Sequence, residues 1–400
     1  MILLCMSTHE EETEKIGYIV IVKLPSGVFN TNGRFPSIWK EEAGVFNVII
    51  LTCVRKLNGE RTISGIYNLL TGKRSSQTLQ DAKGYELERY FGIYEGLARD
   101  EFEDRCKQIE KNQWIYLVDR ISPIITSDGA RYLDNYQGPS FEYFSGMNNH
   151  RNIREFEHRL LLVIQTITSI HAGNYTFIPV IDDSKAQRWV KRYYASLSHN
   201  LNQEVKGMYS EILDLLNNRS YLESELFTFR LSGAEVIGLT YEQMKRKYDI
   251  TTEDAYVCIQ HVLYYLFHEA RNSPDSYPFL FACTRGLDGE TMITQSAKHT
   301  YHYLELGWTL EAIVSKRRLK KSTIQDHIVE AALVIPDFSI ERFLSAKDQQ
   351  RIIAAANNMN TLRLKQIHQT LNGEFDYFQI RLALAKGKKL TAKGQSYADV

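Results

Sequence analysis

A dense cluster of positive charge lies near the C-terminal end of this 400-residue chain. Five of the six residues from Lys316 to Lys321 are Lys or Arg, and a Ser-Thr pair follows them directly. Cations at the start of a helix can hold a phosphate, because the helix amides and the positive end of the helix dipole add to their charge. The pattern predicts nucleic-acid contacts from Lys316, Arg317, Arg318, Lys320, Lys321, Ser322, Thr323 and Gln325.

The charge of the whole chain does not predict this site. Lys and Arg together number 48 and Asp and Glu also number 48, so any electrostatic footprint must be local. A solvated basic face on a pair of helices is therefore the alternative interpretation of the cluster.

Two short helices are predicted to position the cluster. Thr309 can cap a first helix that contains Leu310 and Ile313, and Leu319 falls in a tight connection. Ser322 and Gln325 have the spacing of a capping box at the start of a second helix. Two helices joined in this way form a helix-turn-helix, whose second helix can dock at the DNA backbone or in the major groove.

Other kinds of chemistry find little support in the sequence. Thr71-Gly72-Lys73-Arg74 lacks the earlier Gly and the following Ser or Thr of a nucleotide-binding P-loop. The five cysteines are scattered, so neither a disulfide framework nor a zinc site is indicated. No arrangement of residues suggests a catalytic triad. We therefore predict a protein that is not an enzyme and uses no metal or cofactor.

The organisation of the chain predicts a mainly α, multi-domain protein, with a winged helix that contains a small β-hairpin and a C-terminal helix-turn-helix bundle. No export signal is recognised, and the longest apolar run, Val45–Val54, is too short to cross a bilayer. We expect no membrane partner and a cytoplasmic, nucleoid-associated protein. The predicted ranges are a poorly ordered extension at 1–44, the winged helix at 46–135, a helical middle domain at 151–290, the helix-turn-helix domain at 295–386 and a basic tail at 387–400.

The middle domain contains two weaker patterns. Basic and aromatic residues alternate in KAQRWVKRYY, so Arg188, Trp189, Arg192 and Tyr193 could stack on single-stranded bases, although aromatics at helical spacing are more often core. Residues 238–254 faintly suggest a further helix-turn-helix, and a plain helical spacer is the alternative.

Two segments resemble the C-terminal part of RecQ-type DNA helicases. GWTLEAIVSKRRLKKSTIQDHIVEAAL and FDYFQIRLALA are similar to the helix-turn-helix domain that ends many of them. Leu70-Thr71-Gly72, Phe91-Gly92-Ile93 and the stretch 126–131 are similar to their winged-helix (RQC) domain. The second resemblance implies DNA contacts from Lys73, Arg74, Ser75, Ser76, Gln77, Thr78 and, at the hairpin, Arg120. The acidic helix at 99–110 and the hairpin without an aromatic turn residue depart from that pattern.

With both domains present and no helicase motor, the chain resembles the YpbB-like helicase-accessory proteins. The resemblance implies a DNA-binding accessory factor for a RecQ-like DNA helicase in DNA repair or recombination. Its DNA would be a duplex, a fork or a single-strand/duplex junction. The alternatives are a helix-turn-helix transcription regulator and a helicase scaffold that does not touch DNA.

Overall fold

The computed structural model describes residues 44–197, 200–288 and 292–387. Most of the predicted extension at 1–44, and all of the predicted basic tail except Gly387, lie outside these residues. Within them the protein is mainly helical, with one two-stranded antiparallel sheet. The predicted fold class is therefore confirmed. The described part contains no helix that is long and apolar enough to cross a membrane.

The first elements are helices followed by a hairpin. They are α1 (Val45–Leu57), α2 (Ile63–Leu70), α3 (Ser76–Gly84), a 3₁₀ turn (Glu88–Tyr90), α4 (Arg99–Lys111), β1 (Ile115–Val118), β2 (Ser122–Ile125) and α5 (Ser127–Asp134). The strands pair with Ile115 opposite Ile125 and Val118 opposite Ser122. The small β-hairpin predicted for this range is therefore present.

The remaining elements are all helices. They are α6 (Gly146–His171), α7 (Ser184–Ala195), α8 (Leu201–Leu216), α9 (Tyr221–Arg230), α10 (Tyr241–Tyr248), α11 (Thr252–Asn272), α12 (Pro278–Thr284), α13 (Gln295–Glu305), α14 (Leu310–Arg317), α15 (Lys321–Val334), α16 (Ala346–Met359), α17 (Leu364–Thr370) and α18 (Tyr377–Lys386). Many begin at a Ser, Thr or Asp whose side chain accepts a hydrogen bond from a first-turn amide, the usual N-cap.

One compact unit combines 47–135 and 145–148 with the described residues from 292 to 387. Its centre is α15, which packs against α13, α18 and α3. Arg381 of α18 donates hydrogen bonds to Asp326 of α15 at 2.5 Å and to Ser76 of α3 at 2.6 Å. The ranges predicted as the winged-helix and helix-turn-helix domains thus lie in the same unit.

Two lysines add to the packing at the C-terminal end of α15. Lys83 of α3 donates to the carbonyl oxygen of Leu333. Lys386 of α18 donates to the carbonyl oxygens of Ile335 at 2.7 Å and Pro336 at 2.8 Å. Cations at this end satisfy carbonyls that the helix leaves without partners and complement its dipole.

The other unit consists of 44–46, 136–144 and the described residues of 149–288. Its centre is α11, in which 15 of the 21 residues are buried, and which packs against α9, α10 and α12. His261 of α11 is fully buried, and its Nδ1 lies 2.6 Å from Oε1 of Glu223 in α9. A helix this thoroughly surrounded is a core element, so its side chains are committed to the packing of the unit.

Candidate nucleic-acid interface

Local sequence signals set both ends of α14, the first helix of the pair that carries the cations. The Thr309 side chain accepts a hydrogen bond from the amide of Ala312 at 3.2 Å and caps α14, as predicted. Arg318 ends this helix in the left-handed conformation, with φ of 51°. Only Leu319 and Lys320 then separate Arg318 from the first residue of α15. The basic cluster therefore forms the turn between two helices.

The start of α15 differs from the prediction. The N-cap is Lys320, which makes no side-chain cap, whereas Ser322 and Gln325 lie inside the helix. The predicted Ser322–Gln325 capping box was therefore wrong. Burial of Ile324 and Ile328 fixes the rotation of α15, and the short turn after Arg318 brings the chain into the helix before Ser322 is reached. Among the residues that the structure describes, no side chain caps the first-turn amides of α15.

Four of the predicted cations remain on the surface of this turn. Lys316, Arg318, Lys320 and Lys321 are all exposed. Lys321 lies 3.9 Å from Glu311, but the two side chains are 63% and 76% exposed, so solvent screens this pair strongly. The uncapped amides and the four exposed cations together form a positively charged surface, which we call the open turn.

Arg317 is the exception among the five cations. Its guanidinium donates to the Ser296 carbonyl at 2.5 Å, to the Ser296 hydroxyl at 3.0 Å and to the Thr300 hydroxyl at 2.5 Å. The prediction that Arg317 grips DNA is corrected, because these bonds tie α14 to α13. His327 packs nearby and bonds to Thr300 at 2.9 Å; burial and the Arg317 charge lower its pKa.

The body of α15 is unavailable to DNA. Residues 328–333 are all buried. Thr323 and Gln325 are half-buried. A helix that lies in the major groove must expose the face that reads the bases. Here, apart from the last residue of the helix, only residues within 321–327 are accessible to any extent, and the most exposed of them lie in the first turn, so the arrangement favours phosphate contact.

The segment 73–78 divides between surface and packing roles. Lys73 and Gln77 are exposed, and Gln77 donates to Asp81 at 2.8 Å. The Ser75 hydroxyl caps α3 by accepting from the amide of Thr78 at 3.1 Å, and Thr78 is buried. These two side chains therefore hold the helix start, and we leave them out of the interface.

Ser76 and Arg74 are likewise engaged within the unit. Ser76 bonds to Arg381 and donates to Asp326 at 3.4 Å. Arg74 is half-buried and lies 3.7 Å from the sulfur of Met292. Phosphate contact by Arg74 and Ser76 stays a prediction, and we leave both out of the open turn because they contact residues of the C-terminal range. The sequence could not show these contacts, which join residues more than 200 positions apart.

The hairpin presents Arg120 to solvent, as its prediction requires. Asp119 and Arg120 form the turn with φ of 51° and 62°. The structure adds an apolar feature that the sequence analysis missed, because Val118 is 37% and Ile121 54% exposed beside the turn. Their position directly beside the Asp119-Arg120 turn was the available signal.

The helix before the hairpin is acidic on its exposed face. Asp100, Glu101 and Glu110 of α4 are exposed. The other acidic residues of this face are partly neutralised, since Glu103 accepts from Arg99 at 2.7 Å and Asp104 accepts from Lys107 at 2.8 Å. This face repels phosphate, so we do not include α4 in the DNA interface.

The aromatic residues predicted to stack on single strands are occupied within the fold. Trp189 stacks on Tyr193 with ring centroids 5.2 Å apart, and the guanidinium carbon of Arg159 lies 4.5 Å from the Trp189 ring centroid. The Tyr193 hydroxyl donates to Glu204. The stacking prediction for Trp189 and Tyr193 is therefore corrected. Arg188 and Arg192 of the same helix remain exposed.

In the part of the chain that the structure describes, no group of three or more His, Cys, Asp or Glu side chains is placed to hold a metal ion.

Comparison with known proteins identifies the C-terminal bundle and the family. A family described as "Helix-turn-helix domain" matches residues 296–384, the span from α13 to α18 that includes the open turn. The chain is also 30% identical over 347 residues to Protein YpbB of Bacillus subtilis (strain 168), an alignment that covers 85% of this chain and 97% of that protein. The chain belongs to the YpbB family. No solved structure matches it. The YpbB-like resemblance of the sequence is thus confirmed at the level of the family, and the helix-turn-helix match supports DNA binding.

Proposed function

We propose that this chain is a non-enzymatic, DNA-binding accessory factor for a RecQ-like DNA helicase. The observation that carries the DNA-binding part is the open turn. It presents Lys316, Arg318, Lys320 and Lys321 beside the uncapped amides of α15. Phosphate oxygens satisfy both groups at once, because the amides donate hydrogen bonds and the cations supply charge.

The proposed contacts are made to the DNA backbone. The buried body of α15 leaves only the start of the helix for DNA, so binding has little sequence preference and weakens steeply with salt. The exposed side chains of Lys73, Gln77 and Arg120, which belong to the same compact unit, are further candidates for backbone contact.

The helicase part of the proposal rests on the resemblance of two segments to the domains that end RecQ-type helicases. The two segments lie in one compact unit, so this chain would supply DNA-handling domains to a motor on another chain. The substrates proposed are forks and single-strand/duplex junctions formed during repair or recombination at the nucleoid.

Charge reversal tests the DNA site. We expect Lys320→Glu/Lys321→Glu to weaken binding to a labelled fork by at least tenfold, which corresponds to about 1.4 kcal/mol. The control is Lys347→Glu/Lys365→Glu, which makes the same charge change at exposed lysines of the same bundle. Equal affinities for the two double variants would contradict the site.

The helicase partnership is tested by size-exclusion chromatography of the purified chain with the RecQ-like helicase of the same organism. Co-elution at micromolar concentration is expected. Separate elution would remove the partner and leave a DNA-binding protein.

A transcription regulator is the competing function, and it requires strong preference for one duplex sequence. Residues 328–333 are buried, so a regulator would have to read its sequence with the first residues of α15 alone. Binding of unrelated duplexes with affinities within a few-fold of each other would exclude it. A scaffold without DNA contact would show no fork binding by the wild-type chain.

A further inference from the structure

A loop in the α6–α12 unit displays apolar side chains to solvent. The loop between α6 and α7 places Ile178 at 90% exposure and Tyr175 at 75%, with Pro179 exposed beside them. Single exposed apolar side chains are common on protein surfaces and need no explanation. Several of them on one loop indicate a surface that binds a partner.

The exposure of this loop is imposed by the fold around it. Gln165 of α6 is 8% exposed, and its amide group binds the loop on both sides of Pro179. Its Nε2 donates to the carbonyl of Ile178 at 3.0 Å, and its Oε1 accepts from the amide of Val180 at 2.8 Å. A buried side chain therefore fixes the backbone that holds Ile178 outward.

Positive charge adjoins this apolar loop. The next helix, α7, exposes Lys185, Arg188, Lys191 and Arg192 and contains no acidic residue. Gln187 of α7 donates to the carbonyl of Ile181 at 3.0 Å, which joins the helix to the loop.

The apolar loop and the basic helix α7 both contact α6. Lys185 is 3.2 Å from Glu155, and the Gln165 side chain holds the loop. Glu155 and Gln165 both belong to α6 and are about 15 Å apart along its axis, given the rise of an α-helix. The apolar and basic features are therefore close enough for one partner to cover both.

We propose that Tyr175, Ile178 and Pro179, with the basic face of α7, form the surface that docks the RecQ-like helicase. The partner surface has an apolar pocket for Ile178 and a rim of carboxylates for Arg188 and Arg192. This proposal rests on the proposed function, which supplies the partner. A protein is favoured over single-stranded DNA, because Ile178, the most exposed side chain of the surface, has no ring to stack on a base, and Tyr175 is its one exposed ring while those of Trp189 and Tyr193 are packed.

The test compares two isoleucines. Ile178→Glu is measured against Ile237→Glu, the same change at 89% exposure on another loop of the same unit. Both side chains lie in solvent, so both variants keep the fold, as circular dichroism will check. Calorimetric titration with the helicase should show about thirtyfold weaker binding for Ile178→Glu, the loss expected of a hot spot, and no change for Ile237→Glu.

A charge variant completes the test. Arg188→Glu/Arg192→Glu should weaken helicase binding by at least tenfold and leave fork binding unchanged, because the DNA site is the open turn. If Ile178→Glu binds the helicase as the wild type does, the docking surface is wrong and the helicase partnership stands. If the wild-type chain binds no helicase, the proposed partnership fails together with this surface. If the Arg188/Arg192 variant loses fork binding and keeps the helicase, the surface belongs to DNA.

Discussion

The α10–α11 pair and the α14–α15 pair share one backbone plan. Each first helix is capped by a threonine, Thr240 or Thr309, and ends in a left-handed residue. That residue is Asp249 with φ of 54° in one pair and Arg318 with φ of 51° in the other. In both, the second helix begins three residues later. The faint helix-turn-helix pattern at 238–254 is therefore a real helix pair with a short turn.

The two pairs differ in what caps the N-terminus of the second helix. In α11 the Thr251 hydroxyl and the Asp254 carboxylate form a capping box, and Asp254 also accepts from the amide of Phe46 at 2.8 Å. In α15 the corresponding N-cap is Lys320, which caps nothing. In the first pair the Thr251 hydroxyl accepts from a first-turn amide and the buried Asp254 carboxylate accepts from the amide of Thr251, whereas Lys320 offers no such acceptor in the second pair. The same backbone plan therefore serves packing in one unit, and in the other it carries the DNA contacts that we propose.

The largest effect on stability should come from removing the Asp254 carboxylate at the start of α11. Asp254 is 2% exposed, and Asp254→Ala would leave the backbone amides of Phe46 and Thr251 without the carboxylate that accepts from them. We expect a loss of about 2–4 kcal/mol in the free energy of unfolding, measured with urea. The exposed Asp275→Ala is the control. A loss below about 1 kcal/mol for Asp254→Ala would contradict the role given to its carboxylate.

A smaller effect on stability, of opposite sign, should follow from adding a side-chain cap to the start of α15. Lys320→Ser supplies a hydroxyl that can accept from a first-turn amide of α15, so we expect a gain of about 0.5–1 kcal/mol in stability. The same change should weaken fork binding, because it removes a cation and occupies an amide. Fork binding that stays the same or tightens would show that the uncapped start of α15 has no part in holding phosphate.

The smallest effect concerns pH. Burial, with a further contribution from the Arg317 charge, lowers the pKa of His327 from its ordinary 6.5. The unfolded chain then binds a proton more readily than the folded one. Stability that is present above pH 6.5 is lost as the pH falls through the lower, folded pKa. Unfolding curves between pH 7.5 and about 5 should show this loss, and it should be smaller in His327→Gln. Equal slopes in the two proteins would exclude His327 as the source.

Local patterns in the sequence predicted the parts of this molecule that local physics controls. Thr309 caps its helix as predicted, because a hydroxyl next to a first-turn amide needs no distant partner. The hairpin likewise follows from two short β-runs around Asp119-Arg120. The capping box at Ser322 failed because the turn after Arg318 and the burial of Ile324 set the helix start one residue before Ser322.

The roles that were predicted wrongly depend on partners far away in the chain. Arg317 looks like its cationic neighbours, yet Ser296 and Thr300 draw it into the bundle. Trp189 looks like a stacking platform, yet Arg159 covers it. Composition and spacing give each side chain a chemistry, but only the packing decides whether that chemistry faces solvent.

The salt dependence of fork binding tests the central claim most directly. Each phosphate neutralised contributes about −0.9 to the slope of log K against log salt concentration on duplex DNA. Lys320→Ala/Lys321→Ala should therefore make the slope about 2 less negative, while Lys347→Ala/Lys365→Ala should leave it unchanged. Wild-type slopes in both double variants would contradict the claim that the open turn grips the DNA backbone.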